Sequence, residues 1–285
     1  MSYGEDYAPP KQLRPTYYAT PPYLTTHDPF PTSCATTYSS PCAILLPPPS
    51  FLPLLHSPSS MDGLLLVDKP AGITSHDVVD AIRNIAHTRR VGHAGTLDPF
   101  ATGLLILGIN KGTKALTGLV GLDKTYEATA KLGATSTTDD PEGIIAEGPA
   151  CPHPDTDVIQ TVLSSFLGAY EQTAPVFSAK KVGGKKLYEL ARKGKMEGIV
   201  LPKKIVTIHD IALLDYRWPN LHFRVSCSSG TYIRALAKDI GAKLGCGAYL
   251  TELRRTNIGD HRIEDAIALI DINEKNIGSR LIPMI

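Results

Sequence analysis

The chain has almost no net charge. Its 285 residues carry 29 Lys and Arg against 28 Asp and Glu, a formal charge of +1. No global field advertises a polyanionic partner, so any basic surface must be local. Cysteine is sparse: Cys34, Cys42, Cys151, Cys227 and Cys246. No two form a C-x-x-C pair, which argues against a zinc site, and an odd number argues against a full disulfide framework. A reducing, cytoplasmic setting follows, with the last three as small core residues. Unbroken apolar length is also lacking. The run 43–55 is apolar but holds four prolines, so it does not make a membrane helix. The N-terminus lacks the basic-then-apolar order of a signal peptide. Asp139, Asp140 and Glu142 invite a metal, yet their spacing is not that of a calcium loop. Neither metal, cofactor nor membrane is expected.

What is present divides at Met61. Residues 1–60 hold 13 of the 23 prolines and no periodic apolar face. They read as a disordered, Pro-rich extension, with Met61 as the expected natural start. A low-complexity tail that binds a partner is the rival reading. From Met61 the patterns are those of a folded domain of residues 61–280. Leu64 to Val67 form a strand, and Thr74 or Ser75 caps a helix striped by Val78, Val79, Ile82 and Ile85. Tyr126, Ala128, Ala130 and Leu132 fall on one face of a strand. Residues 155–167 read as a short amphipathic helix. Leu221, Phe223, Val225 and Cys227 alternate as a strand, and Ile233, Leu236, Ala237 and Ile240 stripe a further helix. Separate strand runs with few long helices point to α+β.

One stretch organises the rest: Gly92-His93-Ala94-Gly95-Thr96-Leu97-Asp98-Pro99-Phe100-Ala101-Thr102-Gly103. Its glycines permit tight backbone paths, and Pro99 biases Asp98 towards extended backbone. It runs into an apolar segment of strand length, 104–109. The reading is a sharp loop presenting one carboxylate at the mouth of a buried strand; the bland alternative is a turn cap. Other candidates carry bland alternatives too. Lys69 suits a plain surface lysine, Tyr126 a half-buried aromatic, Leu253 a core leucine, and His93 a polar loop residue. Arg234 stands in the first turn of a helix, where a cation opposes the dipole. A broken local rule is where function is expected. Residues 180–204 hold nine basic residues against two acids. That run is either a solvated face or a surface that tracks phosphates.

Several of these stretches, in this order, resemble the TruB family of tRNA pseudouridine synthases. The likeness covers roughly residues 61–283. GHAGTLDPFATG looks like the family's signature loop, which makes Asp98 the nucleophile. Asp68-Lys69-Pro70 resembles its D-K-P motif, whose lysine supports the fold near the active site. Lys124-Thr-Tyr126 resembles K-x-Y, whose tyrosine stacks on the target base. Cys227 to Arg234 matches C-S-x-G-T-Y-I-R, in which Tyr232 lines the pocket and Arg234 pairs with the aspartate. Leu253-Arg254-Arg255 resembles L-R-R, with Leu253 against the base. Ser178-Ala179-Lys180 and Gly184-Lys185-Lys186-Leu187-Tyr188 resemble two further motifs, and Lys180, Lys185, Lys186 and Lys193 become candidates for RNA backbone contact. The resemblance implies the pseudouridine synthase fold: a mixed, mostly antiparallel sheet flanked by helices. It also implies a small RNA-binding domain that would follow residues 281–285 and is absent from this chain. tRNA is the expected partner and a monomer the expected state.

The chemistry fits the residues. Uridine isomerisation breaks N1–C1′ and forms C5–C1′ with no redox change and no group lost, so a carboxylate nucleophile suffices. It must stay ionised in a dry pocket, which a neighbouring guanidinium favours. A flipped base leaves a gap in the stack, and His93 is the candidate wedge. Two other classes stay open. An RNA-binding or RNA-folding module without catalysis would use the basic stretch but not the loop. A glycoside hydrolase would need a second acid, for which Asp123 and Glu127 are nearest.

Overall fold

A computed structural model describes residues 61–178, 180–194 and 198–283, with the backbone alone at 181, 186 and 192. The expectations for residues 1–60 therefore lie outside the described residues. The first elements are β1 (Gly63–Lys69), α1 (Ser75–Ile85), β2 (Val91–His93), β3 (Thr102–Ile109), α2 (Leu116–Val120) and β4 (Lys124–Leu132). A two-stranded pair follows, β5 (Ala134–Ser136) and β6 (Ile145–Glu147), then α3 (Thr156–Ser164) and β7 (Gly168–Thr173). The basic stretch forms β8 (Lys181–Val182), β9 (Lys185–Lys186) and α4 (Leu187–Arg192). The last part holds β10 (Lys203–Arg217), β11 (Asn220–Cys227), α5 (Ile233–Lys243), β12 (Ala248–Ile258), β13 (His261–Arg262) and β14 (Ile267–Ala268).

Ten strands make one sheet in the order β14-β1-β3-β12-β4-β11-β10-β7, with β2 added to β3 and β13 to β12. Only β1–β14 and β3–β12 are parallel; the other pairings are antiparallel. The expected mixed, mostly antiparallel α+β sheet is the one observed. No helix among the described residues is long and apolar enough to cross a membrane.

The apolar patterns explain the packing. β4 alternates as read from its sequence, with Tyr126, Ala128, Ala130 and Leu132 buried. That face meets α5 and α3 in the largest core cluster, with Phe223, Leu236, Ile240 and Leu250. β3 is apolar throughout because both its faces are covered: Leu105, Leu107 and Ile109 pack with α1, while Leu104 and Ile106 pack on the other side. Each such fully buried side chain contributes about 1.5–3 kcal/mol. The α1 cap is a capping box, in which Thr74 and Asp77 satisfy each other's backbone N–H. The apolar residues of the expected helix 155–167 divide: Ile159 and Leu163 of α3 and Phe166 just after it are buried, whereas Val158 and Leu167 are exposed. At the chain's end, Ile282 exchanges two backbone hydrogen bonds with Leu64 of β1.

Candidate active site

The Asp98 turn joins β2 to β3 and is tied down by its own backbone. The Ser75 hydroxyl, 1% exposed, accepts from Leu97 N–H at 2.8 Å and donates to Leu97 O at 3.2 Å. Pro99 O accepts from Gly72 N–H at 2.8 Å and from Lys69 Nζ at 3.3 Å. Lys69 is fully buried and also donates to Pro70 O and Ile73 O, at 2.8 and 2.7 Å. Burial lowers its pKa to about 8, and the Asp98 carboxylate works against that fall. Lys69 thus braces the turn from behind and does not line the cleft.

In front of the turn lies a cleft of about 550 Å³. Asp98, Tyr126, Tyr232, Arg234 and Leu253 all line it, from four separate segments. Arg234 Nε donates to Asp98 Oδ2 at 2.9 Å, and Nη2 reaches Oδ1 at 3.4 Å. The same guanidinium donates to Thr138 O at 2.7 Å and Phe177 O at 2.9 Å. It also lies 3.2 Å from Asp140 Oδ2. A cation at the start of α5 is therefore matched by two carboxylates and two carbonyls, which removes the conflict with the helix dipole. Arg234 and Asp140 side chains are each 5% exposed, whereas Asp98 is 36% exposed and open to the cleft. The start of α5 is fixed from β7: Gln172 accepts from Tyr232 N–H at 2.8 Å and donates to Tyr232 O at 3.0 Å.

Burial raises the pKa of two cleft tyrosines, Tyr126 and Tyr232. Arg255 opposes the rise at Tyr126, and Ser178 with Arg234 opposes it at Tyr232. Both stay neutral phenols in the physiological range. Lys124, also on the cleft wall, has its pKa lowered by burial and donates to Val120 O at 2.7 Å.

His93 is not among the cleft-lining residues. It sits on β2 opposite Leu107, with Nδ1 buried and lacking a partner among the described residues. Burial lowers its pKa, aided by Arg255, which keeps the ring neutral. In the basic stretch, Lys185 and Lys193 are exposed and Lys180 is half-buried. The Lys186 side chain and all of Lys195 lie outside the described residues. Tyr188, on α4, joins the basic stretch to the cleft wall. Sequence reasoning missed Asp140, considered only as a metal ligand, and Arg255, whose burial at 1% exposure no periodicity signals. It also missed Gln172, which has no motif of its own.

The fold has relatives among solved structures. The chain superposes on a chain of a Cbf5-Nop10-Gar1 complex with a TM-score of 0.61 at 28% identity, covering 79% of this chain and 61% of that one. An H/ACA RNP bound to a substrate RNA containing 2′-deoxyuridine gives 0.56 at 29%, covering 74% and 52%. The chain thus spans between half and two thirds of those longer chains. The family model for the TruB pseudouridylate synthase N-terminal domain matches residues 83–233, and that for the tRNA pseudouridylate synthase B C-terminal domain matches 234–280. The chain belongs to the TruB family of pseudouridylate synthases. Among similar proteins, the tRNA pseudouridine synthase B of Corynebacterium efficiens is 46% identical over 224 residues, covering 77% of this chain and 75% of that protein. That of Thermotoga maritima is 44% identical over 222 residues, covering 78% and 71%. The C-terminal model's residues 234–280 take in most of α5, then β12, β13, β14 and the turns that follow.

Proposed function

We propose that this pseudouridine synthase acts on tRNA, converting uridine 55 of the T loop with Asp98 as nucleophile on a flipped-out base. The observation that carries this reading is the Asp98–Arg234 pair in the cleft, with one carboxylate edge held by a planar guanidinium. Arg234 holds that edge while the rest of Asp98, 36% exposed, is open to the cleft where a nucleobase would sit. Tyr126 and Leu253 offer the base an aromatic and an aliphatic surface. The glycosidic N1–C1′ bond breaks, the base turns, and C5–C1′ forms. The proton lost from C5 is matched by one gained at N1, so the reaction is an isomerisation. The names of the similar proteins support tRNA as substrate.

Lys180, Lys185, Lys186 and Lys193 carry the phosphate-binding role in this reading, because base chemistry alone does not select a tRNA. A binding module without chemistry gives no reason for a carboxylate held by arginine and left open to a cleft. The test is chemical mapping of pseudouridine in an unmodified tRNA transcript, with and without the protein. A single new pseudouridine at position 55 is expected. Modification at another position, or of an unrelated RNA in preference, would overturn the substrate assignment.

A further inference from the structure

A second arginine lies against the Asp98 turn, and nothing in the mechanism above uses it. Arg255, on β12, is 1% exposed yet lines the cleft. Its Nε donates to Leu104 O at 2.8 Å and its Nη2 to Gly95 O at 3.0 Å. Gly95 precedes Asp98 by three residues and Leu104 follows it by six, so one guanidinium bridges both ends of the turn. The strand register explains how it gets there. Arg255 pairs with Gly103 on one side and with Tyr126 on the other. The approach to β3 is so close that a Cβ at Gly103 would sit 2.3 Å from Arg255 O. Arg255 therefore stands between the loop that carries the acid and the tyrosine beside the base.

We propose that Arg255 is a positioning residue for the isomerisation, which staples the two ends of the Asp98 turn and sets Tyr126 beside it. This rests on Asp98 acting in the cleft as proposed above. Arginine is required because its planar fork reaches two diverging carbonyls, whereas a lysine ammonium presents its donors from one point. Its charge is also felt around it: burial is the main cause of the shifts at Lys69, His93, Lys124 and Tyr126, and the Arg255 charge adds to the fall at the first three and opposes the rise at Tyr126.

The test compares full-length wild type, Arg255→Lys and Arg255→Met on an unmodified tRNA transcript. Single-turnover rate, RNA dissociation constant and melting temperature are measured, and the His93 ring is titrated by NMR. Both variants should lose about a hundredfold in single-turnover rate, the size of effect expected from a small misplacement of the acid. RNA affinity should stay within about threefold, less than 1 kcal/mol. His93 should titrate higher in Arg255→Met, which lacks the charge, and stay near wild type in Arg255→Lys. A folded Arg255→Met with wild-type rate overturns the proposal, as does loss of rate only in parallel with loss of affinity. If Arg255→Met does not fold, Arg255→Lys decides by the same rate and affinity criteria; failure of both to fold makes Arg255 a core residue and also overturns it. Wild type and Asp98→Asn run alongside. An inactive wild type or an active Asp98→Asn contradicts the functional reading itself, and the role of Arg255 falls with it.

Discussion

Arg234→Lys is the substitution that weighs the charge network most directly. The guanidinium serves five acceptor atoms: two oxygens of Asp98, one of Asp140, Thr138 O and Phe177 O. An ammonium has three donors, so at least two contacts are lost. Asp98 is 36% exposed and water can replace its share, but Asp140 is 5% exposed and cannot be rehydrated in place. A hydrogen bond to a charged group is worth about 1.5–3 kcal/mol, and a buried acceptor left without a donor costs about 1–3 kcal/mol. A net loss of about 3 kcal/mol follows, a fall of roughly 6–12 °C in melting temperature for a domain of this size. Calorimetry measures it, and single-turnover pseudouridine formation should fall in the same variant, since Asp98 loses its bidentate partner. The same reasoning orders two further variants: Asp140→Ala should destabilise more than Asp98→Ala. An Arg234→Lys protein that melts within about 2 °C of wild type, or an Asp98→Ala less stable than Asp140→Ala, would refute the shared-guanidinium account.

Gly103→Ala should destabilise by several kcal/mol, because φ is +102° and the added Cβ would meet Arg255 O at 2.3 Å; an unchanged melting temperature would contradict that packing. Lys69 gives a pH signature. Its folded pKa of about 8 lies below the ordinary 10.5, so between those values the unfolded chain binds the extra proton and stability rises with pH. The unfolding free energy of wild type minus that of Lys69→Met should grow between pH 8 and 10.5, and a flat difference would show that Lys69 is not buried as described. Neutralising Lys185, Lys186 and Lys193 together should weaken RNA binding and reduce its log–log salt slope by roughly 0.7–0.9 per lost contact, measured by titration at several salt concentrations. An unchanged slope would make the basic stretch a solvated face.

Much of the fold was legible because local patterns and long-range packing agree. The period-two pattern of β4 and the stripes of α1 and α5 fall where their apolar residues are buried. The segment 155–167 was less so: Val158 and Leu167 fit a helical stripe, yet both are exposed in the fold. The site divides in the same way. Asp98, its glycines and Pro99 stand out as a loop, and Arg234 stands out as a cation in a helix's first turn. Their contact spans 136 residues, which no periodicity reveals. Asp140 and Arg255 are charged residues in polar-looking surroundings, and only the register of β12 against β3 and β4 shows that Arg255 is inside.

The central claim is that Asp98 performs the chemistry while other residues hold the RNA. Its most direct measurement is pseudouridine formation by Asp98→Asn under single-turnover conditions on an unmodified tRNA transcript, at saturating protein, with binding measured on the same sample. The amide keeps the shape of the side chain but not its charge. The account predicts RNA binding close to wild type and no detectable pseudouridine. Product formed by a verified Asp98→Asn protein at a rate comparable to wild type would contradict it.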